Sequence, residues 1–284
     1  MTEHTLPQPL VTTDWVAERL ADPTIKLLDG TCFLPTDGRN AGAEFEVEHL
    51  PGAVFFDVDQ ICEPDTGLPH TWPSAERFAA AVGQLGISNQ DTVICYEAGR
   101  FMGASRVWWM FKAFGHQQVA VMDGGLSQWK AQGRPVQSGP VNPTPAQYQA
   151  TEQPGMVCDW REVLQALESG QAQVLDARAA GRFQGTAPEP RPGVRGGHMP
   201  GALNLPFDGL LGEHGKYKSP AELAQAFQAA GLQTDKPVIT TCGSGVSAAT
   251  LLLGLHLIGH RNGILYDGSW SEWGSRDDTP VVTG

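Results

Sequence analysis

The chain has 284 residues, of which 41% are hydrophobic, and a formal net charge of −12. This length accommodates two domains of ordinary size, and the apolar content is sufficient for a core and excludes a disordered chain. The acidic charge argues against nucleic acid or an anionic membrane as the main partner.

The cysteines and the N-terminal segment predict a location in the cytoplasm. The five cysteines are odd in number, scattered, and include no Cys-x-x-Cys pair, a pattern that fits neither a disulfide framework nor a zinc site. Residues 1–10 lack the basic and apolar regions of a signal peptide, and no apolar run reaches transmembrane length. We therefore expect a cytoplasmic protein that binds neither a metal nor a membrane.

Four short segments of the first half recur in the second half in the same order. Lys26–Gly30 recurs as Gln173–Ala177, His49–Ala53 as His198–Ala202, Val93–Tyr96 as Val238–Thr241, and Val121–Trp129 as Leu265–Trp273. The offsets stay between 144 and 149 residues, which indicates a tandem duplication.

Each copy alternates short apolar strands with helical segments. This pattern predicts an α/β fold in which each domain is a mainly parallel sheet flanked by helices. Ser74 and Ser219 are placed to cap matching helices of the two copies. Between the copies, a stretch rich in Pro, Gly, Gln and Thr without apolar periodicity predicts a linker. We assign residues 1–135 to an N-terminal domain, 136–156 to the linker and 157–284 to a C-terminal domain.

The segment Thr241–Ala248 contains the clearest chemical signal. A short buried strand is predicted before Cys242, Gly243 and Gly245 permit a sharp turn, and a helix is predicted over 248–258. Inward-pointing amides above a helix N-terminus favour a thiolate and should lower the pKa of the Cys242 thiol below about 8.5. We predict an activated nucleophile; the alternative is a small buried structural cysteine.

Only the second copy has sulfur at this position. Aligning Val93–Tyr96 with Val238–Thr241 puts Glu97 where Cys242 stands, at the start of the loop Glu97–Gly103. The sequence therefore predicts that copy two performs the chemistry. Structural roles are expected for the remaining cysteines, which are Cys32, Cys62, Cys95 and Cys158. His49 and His198 recur in both copies, which favours a shared structural role.

With these motifs the chain resembles the rhodanese superfamily and, more narrowly, the two-domain 3-mercaptopyruvate sulfurtransferases. The resemblance runs from about Leu10 to Trp273, and the loop Cys242–Ser247 matches that family's Cys-Gly-Ser-Gly-Val-Thr except that Ser247 replaces threonine. It implies two tandem rhodanese-like domains, of which the N-terminal one lacks the catalytic cysteine, and chemistry without a metal or organic cofactor. It also implies a set of substrate-binding loop residues, namely Gly243, Gly245, Val246 and Ser247.

The same resemblance assigns two arginines to the substrate. Arg182 and Arg191 match positions whose guanidinium groups hold the carboxylate and keto oxygens, a task that suits planar arginine better than lysine. Solvated surface charges are the alternative, because both residues lie in a Pro/Gly-rich loop. Arg195 has no family counterpart and is assigned no role. Asp176 and Arg178 are interpreted as a supporting ion pair.

A catalytic relay is implied for Ser244, His70 and Asp59, together with Cys242. Such a relay would polarise a thiol or supply a proton to a leaving enolate. The alternative is that His70 and Asp59 are ordinary surface groups.

The expected activity is transfer of sulfur from 3-mercaptopyruvate to a thiol, cyanide or reduced dithiol protein through a persulfide on Cys242, with release of pyruvate. A thiosulfate:cyanide sulfurtransferase and a non-catalytic sulfur-carrier module are the alternatives. Thiosulfate-using relatives place basic residues after the cysteine, where this chain has Gly243 and Ser244. Because thiosulfate is a small dianion that benefits from nearby positive charge, the neutral loop favours mercaptopyruvate. A cysteine phosphatase is excluded, because Ala248 stands where those enzymes need arginine.

Overall fold

A computed structural model of the chain describes residue 6, residues 9–99 and residues 103–284. Part of the N-terminal segment lies outside the described residues, and so do Arg100, Phe101 and Met102 of the first copy's loop.

The chain divides into two units, each of which takes in a short piece of the other half of the sequence. Unit 1 comprises Met1–Glu63, Pro73–Gln153 and Gly212–Tyr217. Unit 2 comprises Pro64–Trp72, Pro154–Leu211 and Lys218–Gly284. The predicted linker, residues 136–156, falls mostly in unit 1, where Tyr148 is buried with its ring against those of Phe78 and Phe111.

Unit 1 contains a parallel five-stranded sheet with helices. Its strands pair in the order β1-β5-β4-β2-β3. They are β1 (Leu10–Val11), β2 (Ile25–Asp29), β3 (Val54–Phe55), β4 (Thr92–Tyr96) and β5 (Val119–Met122). The helices are α1 (Thr13–Ala17), α2 (Ala41–Val47), α3 (Ala75–Gln84), α4 (Gly103–Ala113) and α5 (Gly125–Ala131).

Unit 2 repeats this plan with the strand order β6-β10-β9-β7-β8, also all parallel. Its strands are β6 (Val157–Cys158), β7 (Gln173–Asp176), β8 (Leu203–Asn204), β9 (Val238–Thr241) and β10 (Gly263–Tyr266). Its helices are α6 (Trp160–Ser169), α7 (Ala180–Phe183), α8 (Pro220–Ala229), α9 (Ala248–Leu257) and α10 (Ser269–Trp273). The identical topology confirms the predicted α/β fold of two tandem domains.

Serine side chains fix the start of the two matching helices. The Ser219 amide and hydroxyl donate to the Glu222 carboxylate (3.0 and 2.6 Å), and the Glu222 amide donates back to the Ser219 hydroxyl. This capping box satisfies amides that the first turn of α8 leaves open. Ser74 caps α3 with its hydroxyl alone, which accepts the Arg77 amide at 3.3 Å. Both predicted caps are confirmed.

The repeated histidines have the same structural role in both units. His49 is buried, stacks on the ring of Phe45 and makes a hydrogen bond from Nδ1 to the Phe45 carbonyl. His198 does the same with Phe183, at a ring separation of 3.8 Å. The shared structural role predicted from the recurrence is confirmed.

A cluster of buried apolar side chains holds the segment from the end of β10 to the end of α10. Trp270, Trp273 and Tyr266 are fully buried against Val174 and Ile239 of the sheet. Burying one indole removes roughly 200 Å² from water, which at 25 cal/mol/Å² contributes about 5 kcal/mol as an upper bound. The segment between Tyr266 and Trp273 is therefore anchored at both ends. No helix in the described part of the chain is long and apolar enough to cross a membrane.

Candidate active site

Cys242 directly follows strand β9, at the carboxyl edge of the unit 2 sheet. Thr241 is in register with Asp176 of β7, and the Ala177 amide donates to the Thr241 carbonyl at 2.8 Å. In open parallel sheets, ligands bind at this edge because loops from neighbouring strands converge there. The turns after β7 and β9 therefore meet, which brings the predicted arginine loop beside the predicted nucleophile.

The first turn of α10 holds the first two residues of the cysteine loop. The Cys242 amide donates to Ser269 Oγ at 3.1 Å, and the Cys242 carbonyl accepts the Trp270 amide at 2.9 Å. The Gly243 carbonyl accepts both the amide (2.8 Å) and the hydroxyl (2.6 Å) of Ser271. Sequence reasoning did not single out Ser269 and Ser271, although both lie in a motif that recurs between the copies.

The loop that follows presents backbone amides without internal partners. Within the described part of the chain, the amides of Gly243, Ser244, Val246 and Ser247 donate to no protein acceptor. Gly245 has φ = 77°, a left-handed angle that glycine adopts without steric cost. An unsatisfied buried amide costs about 1–3 kcal/mol. Such a cluster at the start of a helix is suited to an anion.

The side chains of this loop are equally available for a ligand. Ser244 and Ser247 are buried, and their hydroxyls form no hydrogen bond among the described residues. Cys242 itself is 1% exposed, so a small ligand must enter the loop to reach it.

Burial disfavours the thiolate form at Cys32, Cys62, Cys95 and Cys158. Burial raises the pKa of Cys32 to about 12. It also raises the thiol pKa of Cys62, Cys95 and Cys158. A protonated thiol is a poor nucleophile, which agrees with the structural roles predicted for these four residues.

The guanidinium of Arg182 lies directly over the cysteine loop. Its Nη2 is 3.0 Å from the point that a Cβ on Gly243 would occupy. Any side chain at position 243 would therefore push against Arg182, which gives a physical reason for glycine there. Arg182 Nε and Nη2 donate to Glu189 at 3.2 and 2.6 Å. Its Nη1 has no acceptor among the described residues.

Glu189 joins Arg182 to a second, fully buried arginine. Its Oε1 accepts Arg178 Nη1 at 2.9 Å. Arg178 also donates to Asp176 at 2.7 Å and lies 4.0 Å over the ring of Trp270. The predicted Asp176–Arg178 ion pair is confirmed. The sequence analysis did not identify Glu189. The available signal was an acidic residue that lies between two arginines in the sequence of one loop.

Two further arginines of this loop are Arg191 and Arg195. Arg191 is half-buried in the same loop of unit 2. Arg195 donates to the carbonyls of Gly274, Trp273 and Thr279, each at 3.1 Å. Arg195 therefore stabilises the end of α10 and the chain that follows it, which is a structural role.

The predicted relay residues are distributed over both units. Ser244 and His70 belong to unit 2, and Asp59 belongs to unit 1. His70 is buried with φ = 56°, whereas Asp59 is exposed. The relay remains a prediction.

In unit 1, the equivalent loop has Glu97 at the position that aligns with Cys242. The Glu97 carbonyl accepts the Leu126 amide at 2.9 Å, as the Cys242 carbonyl accepts that of Trp270. This confirms that Glu97 stands at the cysteine position. Its side chain accepts the Ala104 amide at 3.2 Å. Burial raises the pKa of Glu97 to about 8, although hydrogen bonds from the Ala104 and Gly103 amides oppose the shift.

Comparisons with known proteins agree with this geometry. The family model described as "Rhodanese-like domain" matches residues 12–132 and 159–276. Human 3-mercaptopyruvate sulfurtransferase is 43% identical, covering 96% of this chain and 94% of its own. Rat thiosulfate sulfurtransferase is 40% identical, covering 96% of this chain and 94% of its own. The crystal structure of SseA from Escherichia coli, a 3-mercaptopyruvate sulfotransferase, superposes with a TM-score of 0.86 at 38% identity, covering 93% of this chain and 99% of that one.

Proposed function

The chain belongs to the rhodanese-like domain family, and from that membership we propose that it is a sulfurtransferase that takes sulfur from 3-mercaptopyruvate and releases pyruvate. Cys242 is the nucleophile, and the acceptor is a small thiol, cyanide or a reduced dithiol protein. Such acceptors fit the reducing cytoplasm that the cysteine pattern predicts.

The open amides of the cysteine loop carry this proposal. In unit 1, the amide of Ala104 at the start of α4 is occupied by the Glu97 carboxyl. In unit 2, the amides of Gly243, Ser244, Val246 and Ser247 have no protein acceptor among the described residues. A thiolate or persulfide on Cys242 would supply the missing negative group.

Arginine anchors separate the acid end of the donor from the reacting sulfur. Arg182 Nη1 provides two N–H groups beside Gly243, and Arg191 supplies a second guanidinium from the same loop. Together they bind the carboxylate and keto oxygens of 3-mercaptopyruvate. Because Arg182 is neutralised by Glu189 on one edge, its other edge is oriented toward the donor.

The reaction proceeds in two displacements. The Cys242 thiolate attacks the sulfur of 3-mercaptopyruvate, an S–S bond forms, and the C–S bond breaks with its electron pair passing to carbon. The resulting enolate is protonated to pyruvate, a step in which Ser244, His70 and Asp59 act as the predicted relay. An acceptor nucleophile then attacks the outer sulfur, and the S–S electron pair returns to Cys242 as thiolate.

A thiosulfate sulfurtransferase is the second candidate, because the rat enzyme of that name is 40% identical. Thiosulfate carries its charge next to the sulfur that is transferred. The residues after Cys242 are uncharged here, so mercaptopyruvate is favoured. The ratio of kcat/KM for the two donors distinguishes the candidates, and a clear preference for thiosulfate would reverse the order.

Intact-protein mass spectrometry tests the proposal. Brief exposure to 3-mercaptopyruvate should add the mass of one sulfur, and a thiol should remove it. Cys242→Ser should gain nothing and should unfold at the same temperature as the wild type. Cys95→Ser is the matched control and should gain sulfur normally. A Cys242→Ser variant that retains turnover would contradict the proposal.

A further inference from the structure

Each unit binds a short segment from the other half of the sequence through an equivalent aspartate. In unit 2, Asp267 Oδ2 accepts the amide of Trp72 at 2.7 Å. In unit 1, Asp123 Oδ1 accepts the amide of Tyr217 at 2.9 Å. Each aspartate directly follows the last strand of its unit along the chain. Trp72 and Tyr217 are 145 residues apart, within the offset of the duplication, so the same contact exists twice.

The two segments, 64–72 in unit 2 and 212–217 in unit 1, both contain left-handed non-glycine residues, Asp65 with φ = 58° and His214 with φ = 55° among them. They differ in residue type at one equivalent left-handed position. Counting back two residues from Trp72 and from Tyr217 gives His70, with φ = 56°, and Gly215, with φ = 71°. Glycine adopts this angle freely, whereas a residue with a Cβ loses about 1–2 kcal/mol there. A strained residue persists only when its surroundings hold it, and such residues cluster at functional sites.

The turn that contains Asp267 also positions the nucleophile. Ser269 lies two residues later, and its hydroxyl accepts the Cys242 amide at 3.1 Å while donating to the Tyr266 carbonyl at 2.9 Å. One short turn thus contacts both the segment that contains His70 and the first residue of the cysteine loop. Its buried neighbours Tyr266 and Trp270 keep this turn in place.

We propose that Asp267 is a positioning residue for the sulfur transfer. By holding the Trp72 amide, it fixes segment 64–72 and with it the left-handed backbone of His70, the buried imidazole of the predicted relay. Asp123 makes the matching contact in the unit without the catalytic cysteine and has no part in turnover. The proposal rests on the proposed function, because positioning His70 matters only if Cys242 transfers sulfur.

Asp267→Ala and Asp123→Ala form a matched pair that separates positioning from general stability. Hydrogen-exchange mass spectrometry should show faster exchange in segment 64–72 for the first variant and in segment 212–217 for the second. Asp267→Ala should lower kcat about 10²-fold, the effect of misplacing a catalytic group by about 1 Å. The KM for 3-mercaptopyruvate should stay within about twofold, because the donor is bound by Arg182 and Arg191. Asp123→Ala should keep kcat within about twofold.

Two further variants test whether the effect passes through His70. Asp267→Asn retains an oxygen acceptor and should recover most of kcat. His70→Gly relieves the left-handed strain but removes a buried ring, so it should still fold while losing kcat. Adding Asp267→Ala to His70→Gly should lower kcat no further, because residues that act through one another are not additive.

The inference is wrong if Asp267→Ala leaves exchange in segment 64–72 or kcat unchanged, or if Asp123→Ala lowers kcat equally. It is also wrong if His70→Gly keeps full kcat, a result that does not depend on whether Asp267→Ala folds. The mass of the wild-type protein after exposure to 3-mercaptopyruvate tests the proposed function separately. If no sulfur is gained, that function fails, and exchange still decides whether Asp267 holds the segment.

Discussion

Replacing Arg182 tests how the donor is bound, and the structure sets the size of the effect. Two of the three guanidinium nitrogens, Nε and Nη2, already donate to Glu189. The two N–H groups of Nη1 and the second N–H of Nη2 are left for the donor's carboxylate, so the substitution removes at least one hydrogen bond to a charged group. A hydrogen bond to a charged group contributes about 1.5–3 kcal/mol. Since about 1.4 kcal/mol corresponds to a factor of ten, Arg182→Met should raise KM for 3-mercaptopyruvate roughly 10- to 150-fold.

Lysine at this position should give an intermediate result. Arg182→Lys keeps the positive charge but cannot bind Glu189 and the donor with separate edges of one planar group. Its KM should therefore lie between those of the wild type and the methionine variant. In both variants Glu189 keeps its contact with Arg178 at 2.9 Å, so the fold should persist, with a loss of about 1–2 kcal/mol in the free energy of unfolding.

Initial rates of pyruvate release, measured over a range of donor concentrations at a fixed acceptor concentration, give KM and kcat. Arg39→Met is the matched control, because Arg39 also pairs with a glutamate, Glu44, but belongs to unit 1. Its KM should equal that of the wild type. An Arg182→Met enzyme whose KM stays within about twofold of wild type would refute the assigned docking role.

Three other substitutions follow from individual contacts. Gly243→Ala places a Cβ 3.0 Å from Arg182 Nη2. Because Nη2 lies at the end of a flexible side chain, the free energy of unfolding should change by less than about 1 kcal/mol. The displaced guanidinium should raise KM for 3-mercaptopyruvate several-fold in the pyruvate assay. Glu97 has a folded-state pKa raised from 4.5 to about 8, so the folded state binds the extra proton and its stability falls as pH rises through this interval. Urea titrations of Glu97→Gln should therefore show a gain over wild type that grows with pH, by at most about 1.4 kcal/mol per pH unit, and an advantage that is the same at pH 5 and 8 would contradict this. Arg195→Met removes the donors to four backbone carbonyls, those of Trp273, Gly274, Arg276 and Thr279. It should lower the free energy of unfolding by about 3 kcal/mol without changing KM, and an unchanged urea midpoint would show that these bonds contribute little.

Local sequence patterns predicted the parts of the fold that depend on short-range chemistry. The caps at Ser74 and Ser219 formed as expected because a capping side chain needs only the amides of its own first turn. The duplication predicted two sheets of equal topology. The alignment of the strands alone predicted that Glu97 occupies the position equivalent to Cys242. The loop around Cys242 was identified because its glycines mark a sharp turn between a strand and a helix.

Contacts between distant parts of the chain were beyond such reasoning. Glu189 was missed because its place among the loop arginines in the sequence shows neither that its side chain is buried nor which two arginines it joins. Ser269 was missed as a support of Cys242 because the two residues are 27 positions apart and only the pairing of β9 with β10 brings them together. Segment 64–72 belongs to unit 2. The repeat in the sequence could not predict this, because it assigns the segment to the first copy.

The sequence by itself determined that two copies of one α/β unit exist and that only one has a cysteine at the loop, since strand periodicity, caps and glycine turns are local properties of the backbone. The tertiary structure decided which groups surround that cysteine. Parallel strands place residues far apart in sequence at one edge of a sheet, and burial then selects their partners, so the guanidinium of Arg182 over Gly243 and the hydroxyl of Ser269 on the Cys242 amide appear only once the sheet has formed.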